Sequence, residues 1–138
     1  MDLNEANRFK VYIIESLEGD MHTGQNLYDY LRQRNVDYTD YMFDAMYISV
    51  YDREALHKTL RMIAEEVDTN NYIPITQIEC HGDPDYILLS SKDHVGWFEL
   101  FDLTRPINIA AHNSLLLNLS MCNGNAVIRN RSQEKSAF

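Results

Sequence analysis

The stretch that most constrains how this chain folds is Ile73–Asp85, which reads Ile-Pro-Ile-Thr-Gln-Ile-Glu-Cys-His-Gly-Asp-Pro-Asp. In an extended chain, alternation puts His81 on the side opposite Cys80. Gly82 and Pro84 then break the strand, as turn residues do. A histidine at the carboxyl end of a strand lies where open α/β sheets bind ligands, in the crevice outside the strand ends. The stretch therefore predicts a strand that delivers an imidazole to a binding crevice.

A second reactive residue follows another apolar run. Ser114–Met121 reads Ser-Leu-Leu-Leu-Asn-Leu-Ser-Met, a near-continuous apolar pattern typical of a buried strand, and leads into Cys122. Because the carboxyl ends of parallel strands meet at one edge of a sheet, we expect the Cys122 thiol and the His81 imidazole to lie close together. A free thiol is only slightly ionised at neutral pH, and a nearby base can activate it. His81 and Cys122 are therefore the candidate catalytic pair, whereas Cys80 is expected in the core.

Strand and helix patterns alternate along the chain, with a polar loop between the first strand and the first helix. The predicted elements are a strand at Lys10–Ser16, a helix from Thr23 as N-cap to about Asn35, a strand at Ala45–Val50, a helix capped by Asp52 from Arg53 to about Val67, a hairpin over Tyr86–Ser90 and His94–Trp97, a helix over Trp97–Leu103 that Pro106 stops or kinks, and a short helix over Gly124–Arg131. This alternation predicts one α/β domain over residues 1–138. Its sheet is expected to be mostly parallel, flanked by helices, with a small β-hairpin after the third strand.

Composition narrows the class of protein. The 138 residues carry a net charge of -9, with 21 acidic residues against 12 Lys and Arg, which argues against binding of nucleic acid. No run approaches the roughly 18 apolar residues of a membrane span, and the amino terminus lacks the pattern of a signal peptide. Two cysteines without a C-x-x-C spacing suit free thiols in a reducing compartment. We expect a cytoplasmic protein without a metal or other cofactor.

Four short motifs, in this order and with this spacing, resemble a known superfamily. They are His81–Asp85, the hairpin through Leu88–Ser91, the helix start at Trp97–Leu100, and Cys122–Gly124. Over residues 10–128 the chain resembles the caspase-like cysteine peptidases of the CHAT and caspase superfamily, which carry His-Gly after the third strand and the catalytic cysteine after the fourth. The separation of 41 positions (122 − 81) is near the roughly 50 of caspases. The resemblance implies a caspase-like, Rossmann-like sheet.

The resemblance also implies roles for individual residues. His81 would activate Cys122 and protonate the leaving amine, and the backbone N–H groups of Gly82 and Cys122 would form the oxyanion hole. Glu18 and Asp20 lie in the loop that borders the substrate pocket in this superfamily, where they would favour a basic residue before the scissile bond. The substrate would be a protein. Bacterial members of the CHAT group act in defence or stress responses.

Two departures from the family pattern concern specificity and completeness. Ser120 and Met121 stand where caspases have Gln-Ala, so aspartate specificity is not implied. The chain also ends where the family continues, which suggests that the carboxyl-terminal part of the fold is missing. In a sheet of order 2-1-3-4, Ser114–Met121 lies at the edge although its apolar run is that of a central strand. We therefore expect a partner chain or a homo-oligomer along this edge.

Three other interpretations remain open. A non-catalytic or partner-dependent interaction subunit on the same fold would retain Cys122 without a complete groove. A receiver-type or flavodoxin-like domain fits the length, but receivers need an aspartate where this chain has His81, and flavodoxins need a phosphate loop after the first strand. His81, Asp83 and Asp85 suggest a metal site only weakly, because they share one turn and no second cluster of ligands is evident.

Overall fold

The structure, a computed structural model, describes residues 8–19, 21–37 and 43–121. Within these ranges strands and helices alternate as the sequence predicts. In chain order the elements are β1 (Phe9–Ser16), α1 (Thr23–Asp37), β2 (Phe43–Ser49), α2 (Arg53–Asn70), β3 (Ile73–Gly82), β4 (Tyr86–Leu88), β5 (His94–Gly96), α3 (Trp97–Ala110) and β6 (Leu116–Ser120). The predicted helix over residues 124–131 lies outside the described residues.

The six strands form one mixed sheet around a parallel core. β1 pairs in parallel with β2 on one side and with β3 on the other, and β6 pairs in parallel with β3. This arrangement confirms the predicted order 2-1-3-4. At its carboxyl end β3 turns to antiparallel pairing with β4, which pairs with β5, so the predicted hairpin after the third strand is also confirmed. The parallel strands all end at the same edge, where His81 is found.

One face of the sheet carries the hydrophobic core. Tyr12, Ile14 and Ile78 point to this face and are fully or almost fully buried. They pack with apolar side chains of α2 and α3, among them Leu56, Leu60, Ile63, Val67, Leu100, Phe101 and Ile107. Asp52 caps α2 as predicted, since its side chain accepts a hydrogen bond from the backbone N–H of Ala55. Helical periodicity and a local cap thus account for where α2 begins and which of its sides is buried.

The opposite face is covered by α1, and its contacts with the sheet are partly polar. Gly24 packs against the side chains of Ile13 and Glu15. The prediction that Thr23 is the N-cap of this helix is wrong: Thr23 is the first helical residue, and its hydroxyl donates to Glu79 at 3.1 Å. Tyr30 of this helix is 59% exposed. The first turn of α1 is therefore held by the sheet and not by a local cap.

The prediction that the third helix ends at about Leu103, stopped by Pro106, is wrong, whereas the alternative that Pro106 kinks the helix stays a prediction. α3 continues through Pro106 to Ala110. Proline removes one backbone donor, but Pro106 lies on the exposed side, and the buried residues Phe101 and Ile107 before and after it hold both halves of the helix against the core. Burial of the apolar side thus outweighs the loss of one helical hydrogen bond.

Candidate active site

The carboxyl ends of three neighbouring parallel strands bring a row of polar residues together. The register pairs Glu15 of β1 with Glu79 of β3, and Glu79 with Ser120 of β6. Directly paired residues of adjacent strands point to the same face. These three side chains therefore lie side by side on the face that α1 covers. His81 follows two residues after Glu79 on the same strand.

Glu15 is a buried carboxylate that caps α1 from a distance. Glu15 is 3% exposed. Its Oε2 accepts hydrogen bonds from the backbone N–H groups of Gly24 at 2.6 Å and Gln25 at 3.3 Å. The hydroxyl of Tyr47 donates to Oε1 at 2.7 Å. A carboxylate at a helix N-terminus is stabilised both by the free N–H groups and by the helix dipole. Glu15 therefore does for α1 what a local N-cap does for other helices.

Gly24 is needed for this close approach between helix and sheet. A Cβ atom at position 24 would lie 2.8 Å from Oε2 of Glu15 and 3.1 Å from Cγ2 of Ile13. At 2.8 Å the Glu15 carboxylate or the helix would have to shift, and at 3.1 Å Ile13 would have to give by a few tenths of an ångström, so a larger residue would disturb the contact between α1 and β1. The absence of a side chain at Gly24 thus determines how near the helix N-terminus comes to the strand ends.

Glu79, on the same face of the sheet, is held by a hydrogen-bond network of side chains from α1, β3 and β6. Its Oε2 accepts from the Thr23 hydroxyl at 3.1 Å, and its Oε1 accepts from Nε2 of Gln77 at 2.9 Å. Asn118 of β6 in turn donates to the side-chain oxygen of Gln77. Both buried carboxylates therefore have donors on both oxygens, which is the condition under which buried charge is tolerated.

His81 stands where β3 changes neighbours. β3 pairs with β1 up to Cys80 and with β6 up to Glu79, whereas the next residue, His81, pairs with Leu88 of β4. The His81 side chain is exposed and Gly82 is half-buried. A strand end between diverging neighbours is the kind of crevice in which α/β sheets bind ligands. The predicted position of the imidazole at the end of the third strand is confirmed.

Glu18, a predicted pocket residue, takes part in an ion pair beside His81. Its Oε1 lies 2.5 Å from Nζ of Lys92, in the turn between β4 and β5. The hydrogen bond from Lys92, then its charge, lower the pKa of Glu18, and the charge of His81 lowers it further. Two residues earlier, Ser16 accepts a hydrogen bond from the backbone N–H of Ser90 at 2.8 Å. The loop after β1 is thus tied to the hairpin turn next to His81.

Cys80 is a buried thiol, as the alternation in the sequence predicts. It is 4% exposed, and its Sγ lies 3.9 Å from Sδ of Met121. Burial, and to a lesser extent the charge of Glu79, raise its pKa to about 12. Since the thiolate is the nucleophile, this thiol is unreactive near neutral pH.

Two predicted site residues, Asp20 and Cys122, lie outside the described residues. The His81–Cys122 pair, the oxyanion donors of Gly82 and Cys122, and the substrate pocket of Glu18 and Asp20 therefore stay predictions. Sequence reasoning missed Glu15, Gly24 and Thr23. A signal for Glu15 was present, since a glutamate ends the apolar strand Val-Tyr-Ile-Ile-Glu on the side of Ile13, but its partners could not be named.

Two observations concern other possible sites in the described part of the chain. No group of three or more His, Cys, Asp or Glu side chains within residues 8–19, 21–37 and 43–121 is placed to hold a metal ion. An open groove is lined by Asp52, Arg53, Glu54, His57, Lys58, Arg61 and Asp93. Its charges are mixed: Lys58 pairs with Glu54, and Asp93 accepts the backbone N–H of Arg53.

Among the same described residues, no helix has the length and apolar character needed to cross a membrane. No protein-family model matches this chain, and no curated protein matches it closely enough to indicate a family.

Proposed function

We propose that this chain is a cysteine endopeptidase domain of the caspase-like type, with His81 and Cys122 as its catalytic dyad. One observation carries the proposal: the register pairs Glu79 of β3 with Ser120 of β6. His81 follows two residues after Glu79, and Cys122 follows two residues after Ser120. This spacing predicts that the two reactive residues lie near each other at the ends of neighbouring parallel strands, in the order and with the motifs that resemble the superfamily.

The proposed reaction is acyl transfer from a peptide bond to the thiol. The Cys122 thiolate attacks the scissile carbonyl carbon, and the negative charge that develops on the oxygen is stabilised by the backbone N–H groups of Gly82 and Cys122. The imidazolium of His81 gives its proton to the leaving amine, so that the C–N bond breaks and a thioester remains. Water, deprotonated by His81, then hydrolyses the thioester and releases the thiol.

The sharpest test of the dyad is selective alkylation. An excess of iodoacetamide at neutral pH, followed by peptide mass spectrometry, is expected to modify Cys122 much faster than Cys80, whose buried thiol has its pKa raised to about 12. His81→Ala should slow the modification of Cys122 at least tenfold and leave Cys80 unchanged. Equal rates of Cys122 modification with and without the imidazole would show that His81 does not activate it.

Peptide cleavage tests the activity itself. Cys122→Ala and His81→Ala are each expected to reduce cleavage by at least a thousandfold while the circular dichroism spectrum is unchanged. Cys80→Ala is the matched control and should lower stability only, because Cys80 lies in the core. We propose substrates with a basic residue before the scissile bond, owing to Glu18 and Asp20. Cleavage that persists in Cys122→Ala would refute the proposal.

A second candidate function is a partner-dependent or non-catalytic subunit on the same fold. The observation that favours it is the exposed edge of β6, where Leu116 is 59% exposed. A groove completed by another polypeptide would leave the isolated chain inactive although Cys122 still reacts with iodoacetamide. In either case we propose a cytoplasmic protein whose thiols stay reduced, acting on a protein substrate in a bacterial defence or stress response.

A further inference from the structure

The ion pair between Glu18 and Lys92 puts a cation on a carboxylate that is predicted to line the substrate pocket. Oε1 of Glu18 lies 2.5 Å from Nζ of Lys92. The hydrogen bond from Lys92 and then its charge lower the pKa of Glu18, and the charge of His81 lowers it further. The carboxylate is therefore ionised at neutral pH and lies within electrostatic range of the imidazole. An alkylammonium group thus already occupies a negatively charged position beside His81.

The turn that carries Lys92 does not itself require a lysine. The N–H of Lys92 donates to the carbonyl of Leu89 at 2.9 Å, and the N–H of Leu89 donates to the carbonyl of Asp93 at 3.0 Å, which closes a short hairpin loop. The last residue of such a loop is left-handed, and Lys92 has a φ of 76°. Glycine and asparagine adopt this conformation most readily. What a lysine adds here, and neither of them could, is the ion pair with Glu18.

The backbone of this turn is held in place on two sides. The N–H of Ser90 donates to the hydroxyl of Ser16 at 2.8 Å, at the end of β1. The N–H of Ser91 donates to the carbonyl of Tyr51 at 2.9 Å, just before α2. These bonds fix where the Lys92 side chain starts, so its ammonium group leaves the carboxylate by a change of rotamer alone.

The ion pair is weak enough to exchange. The side chain of Lys92 is 66% exposed and that of Glu18 is 49% exposed. Exposed ion pairs contribute little, because water screens both charges and two long side chains lose rotamer freedom. Another cation can therefore replace the ammonium of Lys92. Because Lys92 is always present beside the carboxylate, it weakens the binding of every such cation by a factor set by its own occupancy.

We propose that Lys92 is an internal competitor at a cation subsite formed by Glu18, and that the ammonium or guanidinium group of the substrate residue before the scissile bond displaces it. The inference rests on the proposed peptidase function, because that function makes the ligand a basic side chain of a substrate. Lys92 is then a specificity-determining residue. It lowers the affinity for all basic side chains by the same factor, so a substrate needs further contacts to bind well.

Binding of amino acid amides tests the subsite without requiring catalysis. In a Cys122→Ala background, N-acetylarginine amide is titrated while the backbone amide signals of residues 18 and 92 are followed by NMR. Lys92→Asn, in which asparagine suits the left-handed turn, should tighten binding about threefold because the competitor is removed. N-acetyllysine amide should gain by the same factor, and the uncharged N-acetylnorleucine amide should not gain. Glu18→Gln should abolish the gain.

Two further variants separate competition from a change in overall charge. Lys92→Arg keeps the charge and makes a bidentate bond to the carboxylate, so it should weaken the binding of N-acetylarginine amide. Lys58→Asn removes a lysine that pairs with Glu54 on α2 and should leave binding unchanged. Equal affinities with Lys92 and with Asn at this position, or an equal gain from Lys58→Asn, would overturn the inference. A Cys122 thiol that fails to react with iodoacetamide would refute the peptidase, whereas these results refute the role of Lys92 alone.

Discussion

The two faces of the sheet are built in different ways. On one face, Tyr12, Ile14 and Ile78 pack with apolar side chains of two helices, and contact area holds the layers together. On the other face, one helix is attached through Glu15 and Glu79, two buried carboxylates. The apolar face draws its stability from many dispersion contacts that are individually weak. The polar face depends on a few hydrogen bonds, each of which has a large cost when broken.

The candidate site lies at the end of the polar face. Glu79 stands two residues before His81 on β3, so the hydrogen bonds that hold Glu79 also fix the direction of the strand end that carries the imidazole. The apolar face supplies the stability that allows two carboxylates to be buried near the site. Mutations on the two faces should therefore differ in the size of their effects on stability.

The largest effect is expected on the apolar face. Ile63→Ala removes a fully buried side chain from α2 and should lower the free energy of unfolding by about 2–5 kcal/mol. Urea denaturation followed by circular dichroism measures the change. Glu65→Ala, two residues along at an exposed position, is the control and should stay within about 0.5 kcal/mol. A similar loss in both variants would mean that burial on α2 does not dominate stability.

On the polar face, Glu15→Gln should lower the free energy of unfolding by about 1–3 kcal/mol. The amide keeps the shape of the carboxylate but loses its charge and one of the two acceptors that serve the N–H groups of α1 and the Tyr47 hydroxyl. Amide hydrogen exchange should increase at Gly24 and Gln25 and remain unchanged in α2. Glu18→Gln is the control, because that carboxylate is exposed and its ion pair with Lys92 contributes little. Unchanged exchange at Gly24 would remove the capping role of Glu15.

A smaller effect concerns alkaline pH. Burial first, then the hydrogen bond to Glu15 and its charge, raise the pKa of Tyr47 from 10.0 to about 12. The folded state therefore favours the protonated phenol: its contribution to stability is complete below pH 10 and is lost as the pH rises from 10 to 12. The Cys80 thiol, whose pKa is raised to about 12, also loses its proton in this pH range, but it does so in wild type and variant alike. Tyr47→Phe should thus lose about 1 kcal/mol at pH 7 but decline less steeply than wild type above pH 10.

The smallest effect should have the opposite sign. Thr76 is fully buried on the apolar face, and its hydroxyl oxygen has no hydrogen-bond partner within the described part of the chain. Thr76→Val replaces this unpaired hydroxyl by a methyl group and should leave stability unchanged or raise it by up to about 1 kcal/mol. A loss above 1 kcal/mol in thermal denaturation would show that the hydroxyl finds a partner in solution. Ser49→Val, at an exposed position of β2, serves as the surface control.

The sequence predicted the parts of the fold that depend on periodicity and on local contacts. The parallel pairing of the four main strands follows from the alternation of strand and helix patterns, and the Asp52 cap acts over three residues. Pro106 was misread because the burial on both sides of it, which decides whether a helix continues, is a tertiary property. The error at Thr23 has the same origin, since its hydroxyl bonds to Glu79, 56 positions away.

For the candidate site, sequence reasoning placed one residue and missed its surroundings. The position of His81 at the end of β3 followed from strand alternation and from Gly82. The capping role of Glu15 did not, because its donors are Gly24, 9 positions away, and Tyr47, 32 positions away. No spacing rule connects such residues before the register is known, and only the structure shows that β1 and β3 bring the two glutamates side by side.

The capping of α1 by the sheet also orders the events of folding. α2 finds its cap three residues away, whereas Thr23 at the start of α1 gains its hydrogen bond with Glu79 only once β1 and β3 are paired across the long crossover that contains α1, β2 and α2. Contacts so distant in sequence form late. By the same reasoning, the first turn of α1 is among the first parts to open in the native state. A molecule opened there keeps its apolar core, but the strand end that carries His81 loses its support.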